Sequence, residues 1–204
     1  MGHLLAFFGA FNPPTRAHID LAEYVMKAAG YEGVIFVPSK SVYITESQKK
    51  EFAFSDSDRL KMLEKIAAER PWMSFTDIEM REKEQPRTYV TLCMLRDHGL
   101  TASLLIGADK LIELENKWAM VPEIASEFGI VCMDRGDVDC REVINNSPFL
   151  QSLNITVVDV PDRYKDFSSS RVRECLARIA ELKSELQTLL PPELSDLSRE
   201  TPKQ

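Results

Sequence analysis

Six short apolar runs punctuate the chain: Leu4–Phe8, Val34–Val37, Met73–Ile78, Ser103–Ile106, Ile130–Met133 and Ile155–Val160. Most are apolar throughout rather than alternating with polar positions, the pattern of strands buried on both faces of a sheet. Between them, apolar residues recur at helical spacing. Ile19, Ala22, Val25, Met26 and Ala29 lie three and four residues apart and stop at Gly30, which predicts a helix. Leu60, Leu63, Ile66 and Ala67 predict a second, with Ser55 or Ser57 as its N-cap. Tyr89–Arg96 and Leu111–Lys117 predict two more. Val172 to Leu190 predicts a long one with a break, interrupted at Pro191–Pro192.

Strands alternating with helices imply βαβ units and a parallel sheet. The predicted class is α/β: a single doubly wound, Rossmann-like parallel sheet with helices on both faces and a C-terminal helical segment. No internal repeat or shift of composition marks a second domain, so residues 1–195 read as one domain and residues 196–204 as a disordered tail. The stretch KSVYITESQKKEF, residues 40–52, is polar and aperiodic and reads as a mobile loop. In such sheets ligands bind beyond the carboxyl ends of the strands, near the point where strand order reverses. The residues that follow strands are therefore where chemistry is sought.

A hydrophobic content of 44% over 204 residues is enough for a full core. The net charge of −7 argues against sequence-independent nucleic-acid binding, though it leaves room for a locally positive pocket. Cys93, Cys132, Cys140 and Cys175 show no metal-binding spacing, which points to a reducing cytoplasm. The chain shows no secretory signal, and no apolar run approaches the ~18 residues of a membrane span. Neither nucleic acid nor membrane is an expected partner, and the sequence allows a homo-oligomer.

The candidate chemistry begins with FFGAFNPPTRAH, residues 7–18. Gly9, after the first strand, lets a phosphate approach the backbone. Pro13 and Pro14 stiffen the turn and set a helix start near Thr15, with His18 in the first turn on the same face. A helix N-terminus offers unpaired N–H groups and a positive dipole end, and an imidazole there can donate to a phosphate oxygen. Taken alone, a capping or surface histidine fits equally well. In FSSSRVR, residues 167–173, Ser168 is an N-cap candidate, while Ser169 and Ser170 add hydroxyls in the first turn. Arg173 follows one turn on, so its guanidinium can face the same anion. Alone, that run is an ordinary cap.

Together the two stretches resemble the paired signature of the nucleotidyltransferases that share the cytidylyltransferase fold. GAFNPPTRAH is similar to G-x-F-x-P-x-[HT]-x-G-H, with Gly9, Phe11, Pro13, Thr15 and His18 in place, Ala17 standing for a glycine and Asn12 for a frequent Asp. FSSSRVR is similar to I-S-S-T-x-I-R, with Ser170 for Thr. Within that superfamily, RTYVTL (87–92) resembles the T-Y-x-T-L segment of the nicotinate/nicotinamide mononucleotide adenylyltransferases. LLIGADKLIELENKW (104–118) resembles their strand-Gly-x-Asp…Trp segment through Gly107, Asp109 and Trp118. CMDRGD (132–137) loosely resembles their Arg–Pro–Gly stretch without the proline, and LLPPEL (189–194) their C-terminal turn. A P-P-H-K-like stretch is absent after the second strand, which leaves open whether Lys40, Lys49 or Lys50 meets a phosphate.

The resemblance implies transfer of the adenylyl group of ATP to nicotinate (or nicotinamide) mononucleotide, giving the dinucleotide and pyrophosphate in NAD biosynthesis, with a leaning to the acid. It implies His18 and Arg173 as catalytic groups and Mg²⁺ held mainly by the ATP phosphates, without a protein metal cage. ATP would be held by Gly9, Ala10, Phe11, Thr15, His18, Gly107, Asp109, Ser168, Ser169, Ser170 and Arg173, with Asp109 accepting from the ribose hydroxyls. The mononucleotide would be held by Asn12, Thr88, Tyr89, Trp118 and Arg135, with Trp118 stacked on the pyridine ring. On the residues alone, Asp109 and Thr88 read as caps, Trp118 and Tyr89 as core, and Arg59 of SDRLKML as a solvated helix residue. Phosphopantetheine adenylyl transfer, or a non-catalytic nucleotide sensor on the same fold, are the competing readings.

Overall fold

Each of the six apolar runs supplies a strand. The computed structural model describes residues 3–49, 52–134, 138–161 and 167–189. Strands β1 (Leu4–Gly9), β2 (Gly33–Pro38), β3 (Met73–Phe75), β4 (Ala102–Gly107), β5 (Ile130–Asp134) and β6 (Ile155–Asp159) pair in the order β3-β2-β1-β4-β5-β6, and every pair is parallel. Strand order reverses between β1 and β4. Leu4 is in register with Gly33 on one side and Ala102 on the other.

The unbroken hydrophobicity of the strands follows from cores on both faces. On one, Leu5 and Phe7 of β1, Phe36 of β2 and Leu105 of β4 pack with Ile19, Leu21 and Val25 of α1 (Arg16–Ala28) and Leu63 of α2 (Asp56–Ala67). On the other, Ala6, Ile35 and Leu104 pack with Leu92 and Leu95 of the helix over Thr88–Asp97, here α4, since a short α3 covers Ile78–Arg81. Leu111 of α5 (Ala108–Leu111), Leu114 of α6 (Leu114–Lys117) and Ile124 of α7 (Val121–Glu127) complete that second layer. The doubly wound parallel sheet is as the sequence predicts.

Several local expectations need correction. β3 stops at Phe75, and Ile78, the last residue of its apolar run, starts α3 and packs on the core from there. The polar 40–52 segment holds one π-helical turn over Tyr43–Ser47, pinned by Ile44, whose side chain is fully buried. Leu111–Lys117 is two short helices rather than one. α7 and the further α8 (Cys140–Asn145) and α9 (Pro148–Gln151) went unpredicted. In α7 and α9 the prolines Pro122 and Pro148 sit at the first positions, where a fixed φ starts a helix instead of breaking it.

The chain divides into two compact units, Met1–Phe167 and Ser168–Gln204. The first carries the whole sheet. The second begins with α10 (Ser169–Leu189), which runs unbroken. Lys50, Arg135, Pro191, Pro192 and the 196–204 tail lie outside the described residues. No described helix is long and apolar enough to cross a membrane.

Candidate active site

At the carboxyl edge of the sheet, over the β1–β4 reversal, the first unit opens a cleft of about 680 Å³. Gly9 at the end of β1 and His18 beyond it, Gly107 at the end of β4 and Asp109 beyond it, and Thr88 and Trp118 from α4 and the α6 exit all line it. Its position is the one the parallel topology dictates for a ligand.

The turn after β1 is set by aromatic packing. Phe11 is buried at a positive φ of 41°, and a Cβ on Gly9 would meet its ring at 3.0 Å. A side chain on Gly9 would crowd the Phe11 ring, which would have to shift by a few tenths of an ångström. Phe11 stands edge-on to Phe7 and to the His18 ring, with centroids 5.4 and 5.3 Å away. Thr15 caps α1, and its backbone N–H donates to His18 Nδ1 at 2.9 Å. A nitrogen that accepts from an amide carries no proton of its own, so the neutral imidazole holds its proton on Nε2. The capping box therefore fixes the tautomer of the cleft histidine.

Arg59 overturns its reading as a solvated residue. Its side chain is fully buried, and its guanidinium donates to the carbonyls of Phe54, Ala10 and Ser39 and to Asp56 Oδ1. One cation thereby ties the β1 exit, the β2 exit and the start of α2 together. Asn12 serves the same wall. Its buried amide donates to Phe52 O at 2.7 Å and accepts from Phe54 N–H at 2.8 Å.

On the β4 side, a Cβ on Gly107 would meet Asp109 Oδ1 at 2.8 Å, so the glycine makes room for that carboxylate. Asp109 and Lys110 both line the cleft, and Lys110 Nζ lies 2.8 Å from Glu113, with Lys117 3.1 Å from the same carboxylate. Lys110 first, then Lys117, hold the Glu113 carboxyl below its ordinary range. Trp118 is half-buried, packing against the core while it lines the cleft.

The third wall comes from α3 and α4. Arg87, the N-cap residue of α4, makes no side-chain cap, so the first N–H groups of α4 meet no capping oxygen from it. Behind them Glu79 is 2% exposed, accepting from Thr91 Oγ1 at 2.8 Å and from Gln85 Nε2. Burial pushes the Glu79 carboxyl up to about 7, against the lowering effect of those two hydrogen bonds.

Gly9, Phe11, His18, Thr88, Gly107, Asp109 and Trp118 of the expected set thus come together around one cleft. Tyr89 turns away from it, donating to Glu127 Oε1 at 2.8 Å and packing on Phe128. Lys40 sends its ammonium to the carbonyls of Met80 and Glu82, and Lys49 is exposed at a positive φ. In the second unit Ser168 caps α10, accepting from Arg171 N–H at 3.2 Å, and Arg173 donates to Ser170 Oγ at 3.1 Å. Sequence reasoning missed Arg59, Glu79, Gln85 and the Lys110–Glu113–Lys117 group. Gln85 and Arg87 sit just ahead of the TYVTL stretch, which is the one local signal that could have drawn attention to them.

Residues 6–175 match the family described as Cytidylyltransferase-like. A "Nicotinamide/nicotinic acid mononucleotide adenylyltransferase" of Oryza sativa subsp. japonica is 25% identical over 195 residues, covering 88% of this chain and 78% of that one. A "Probable nicotinate-nucleotide adenylyltransferase" of Trichlorobacter lovleyi is 28% identical over 204 residues, covering 91% of each. Among solved structures, the Plasmodium falciparum nicotinic acid mononucleotide adenylyltransferase complexed with NaAD aligns with a TM-score of 0.65 at 16% identity. That alignment covers 85% of this chain and 83% of that one, and shows the likeness of fold.

Proposed function

Because the chain belongs to the cytidylyltransferase-like family, we propose that it transfers the adenylyl group of ATP to nicotinate mononucleotide in NAD biosynthesis, releasing pyrophosphate. The observation that carries this reading is one cleft at the strand-order reversal that combines Gly9, His18, Gly107 and Asp109 with Thr88 and Trp118. The names of the relatives in rice and Trichlorobacter lovleyi support the same activity.

The mononucleotide phosphate attacks the α-phosphorus of ATP in line, and pyrophosphate leaves without a covalent enzyme intermediate. Such a reaction is helped by positioning and by donors aimed at developing charge. The proton on His18 Nε2 is the donor to the α/β-phosphate oxygens, because Nδ1 is occupied by Thr15 N–H. Asp109 accepts from the ATP ribose hydroxyls. Trp118 stacks on the pyridine ring, and the start of α4 at Thr88 offers its N–H groups to the nicotinate carboxylate, which favours the acid over the amide. The serine hydroxyls and Arg173 at the start of α10 are assigned to the triphosphate, and Arg135 to the mononucleotide.

A divalent cation, Mg²⁺, accompanies ATP and neutralises phosphate charge. The cation is assigned to the triphosphate itself; among the described residues no group of three His, Cys, Asp or Glu is arranged to hold a metal. The four cysteines, all free thiols, suit a cytoplasmic setting. Pyrophosphate release from ATP, measured separately with nicotinate mononucleotide, nicotinamide mononucleotide and phosphopantetheine, tests the reading. The fastest turnover is expected with nicotinate mononucleotide. Release only with phosphopantetheine, or with no acceptor at all, would overturn it.

A further inference from the structure

We propose that Glu79 is a positioning residue for the mononucleotide end of the cleft, holding the start of α4 and the exit of β2 in place through Gln85. The proposal rests on the adenylyltransferase reading above. Its evidence is a directional chain of hydrogen bonds. Lys40 N–H at the β2 exit donates to Gln85 Oε1 at 2.9 Å, Gln85 Nε2 donates to one oxygen of Glu79, and Thr91 Oγ1 of α4 donates to the other at 2.8 Å. Two of the three bonds end on the carboxylate, and the third, from Lys40, reaches it through the Gln85 amide. Gln85 is followed directly by Pro86, Arg87 and Thr88, which line the cleft along with Glu79 and Gln85 themselves. The anion therefore fixes the segment that presents the first turn of α4.

A proton on Glu79 would break this polarity. On the oxygen facing Gln85 it would set donor against donor. On the oxygen facing Thr91 it would make that hydroxyl accept and turn its own proton to the Arg87 carbonyl, 3.5 Å away, so the tie between Glu79 and α4 would lose its charge-assisted bond. Burial places that protonation near neutrality, at about 7. The surrounding charges are otherwise engaged or exposed. Lys40 Nζ is on the Met80 and Glu82 carbonyls, Arg81 is paired with Asp77 at 2.8 Å, and Arg87 is exposed. Among the described residues Glu79 has no ion-pair partner, so its own ionisation decides the state of the chain.

The test is calorimetric titration of nicotinate mononucleotide, and separately of ATP, into the wild-type protein, Glu79→Gln and Gln85→Ala, at pH 6 and pH 8, with thermal unfolding to confirm that each variant is folded. At pH 8 the Glu79→Gln protein should bind the mononucleotide about tenfold more weakly than wild type, because the bonds from Gln85 and Thr91 lose their charge assistance. At pH 6, where wild-type Glu79 is itself largely protonated, the two should converge to within about twofold. The mononucleotide phosphate also titrates in this range, but equally for both proteins, so the ratio isolates Glu79. ATP binding should be unchanged. Gln85→Ala, which leaves the buried carboxylate intact, should weaken mononucleotide binding in the same direction. Equal affinities of wild type and Glu79→Gln at pH 8, or a ratio that does not change with pH, would overturn the proposal. A wild-type protein that binds ATP but no pyridine mononucleotide would instead overturn the reading on which it rests.

Discussion

The sheet carries a histidine–hydroxyl pair at each of its edges, and the two are wired in opposite ways. At the carboxyl edge, Thr15 N–H donates to His18 Nδ1, so the proton of the ring sits on Nε2 in a residue that lines the large cleft. At the amino edge, His3 Nε2 lies 2.8 Å from Ser103 Oγ in a smaller depression of about 410 Å³, also lined by Tyr31, Phe128 and Thr156. There the Ser103 hydroxyl donates to the Phe128 carbonyl, so Oγ can only accept from the His3 ring. The second pair has the composition of a nucleophile and its base, yet its proton path ends on a backbone carbonyl that closes the turn into β5. Donor direction, not residue identity, separates a site from a structural clasp.

Breaking each pair should give very different results. His18→Ala removes the donor proposed for developing phosphate charge, and kcat should fall by about 10²–10³, whereas His3→Ala should stay within about twofold of wild type. Steady-state pyrophosphate release, with circular dichroism to confirm folding, reads both. Arg173→Lys keeps the charge but loses the planar fork, and turnover should fall by about tenfold or more in the same assay. Trp118→Ala should weaken mononucleotide binding by roughly tenfold, the scale of losing one base–aromatic stack, with ATP affinity nearly intact in a titration. Equal losses for both ligands would make Trp118 a core residue only. Ser103→Ala should leave turnover unchanged and cost about 1–3 kcal/mol in denaturant unfolding, the worth of the two hydrogen bonds its hydroxyl makes.

The fold was legible because its four central strands, β1, β2, β4 and β5, are largely buried. Runs such as Leu4–Phe8 and Ser103–Ile106 are apolar for that reason and stand out in any window. The run from Met73 overreached because Ile78 is apolar for a different cause, packing on the core from the first turn of α3. Pro122 and Pro148 read as breakers where they serve as helix starts. In the candidate site, Gly9, His18, Gly107, Asp109, Thr88 and Trp118 were legible through spaced motifs. Arg59 and Glu79 were not, since each stands in a charged helical stretch that looks solvated, and only tertiary packing takes the side chain out of water. The direction of the two histidine networks was likewise invisible, because it depends on a backbone N–H at Thr15 and a backbone carbonyl at Phe128.

The most direct test of the account is nitrogen NMR of the histidine rings, with and without a non-hydrolysable ATP analogue. In the free protein His18 should be the tautomer protonated on Nε2, and the Nε2 resonance should move when the analogue binds while His3 stays unchanged. A His18 protonated on Nδ1, or one whose Nε2 signal ignores the nucleotide, would contradict the assignment of this turn to the phosphates of ATP.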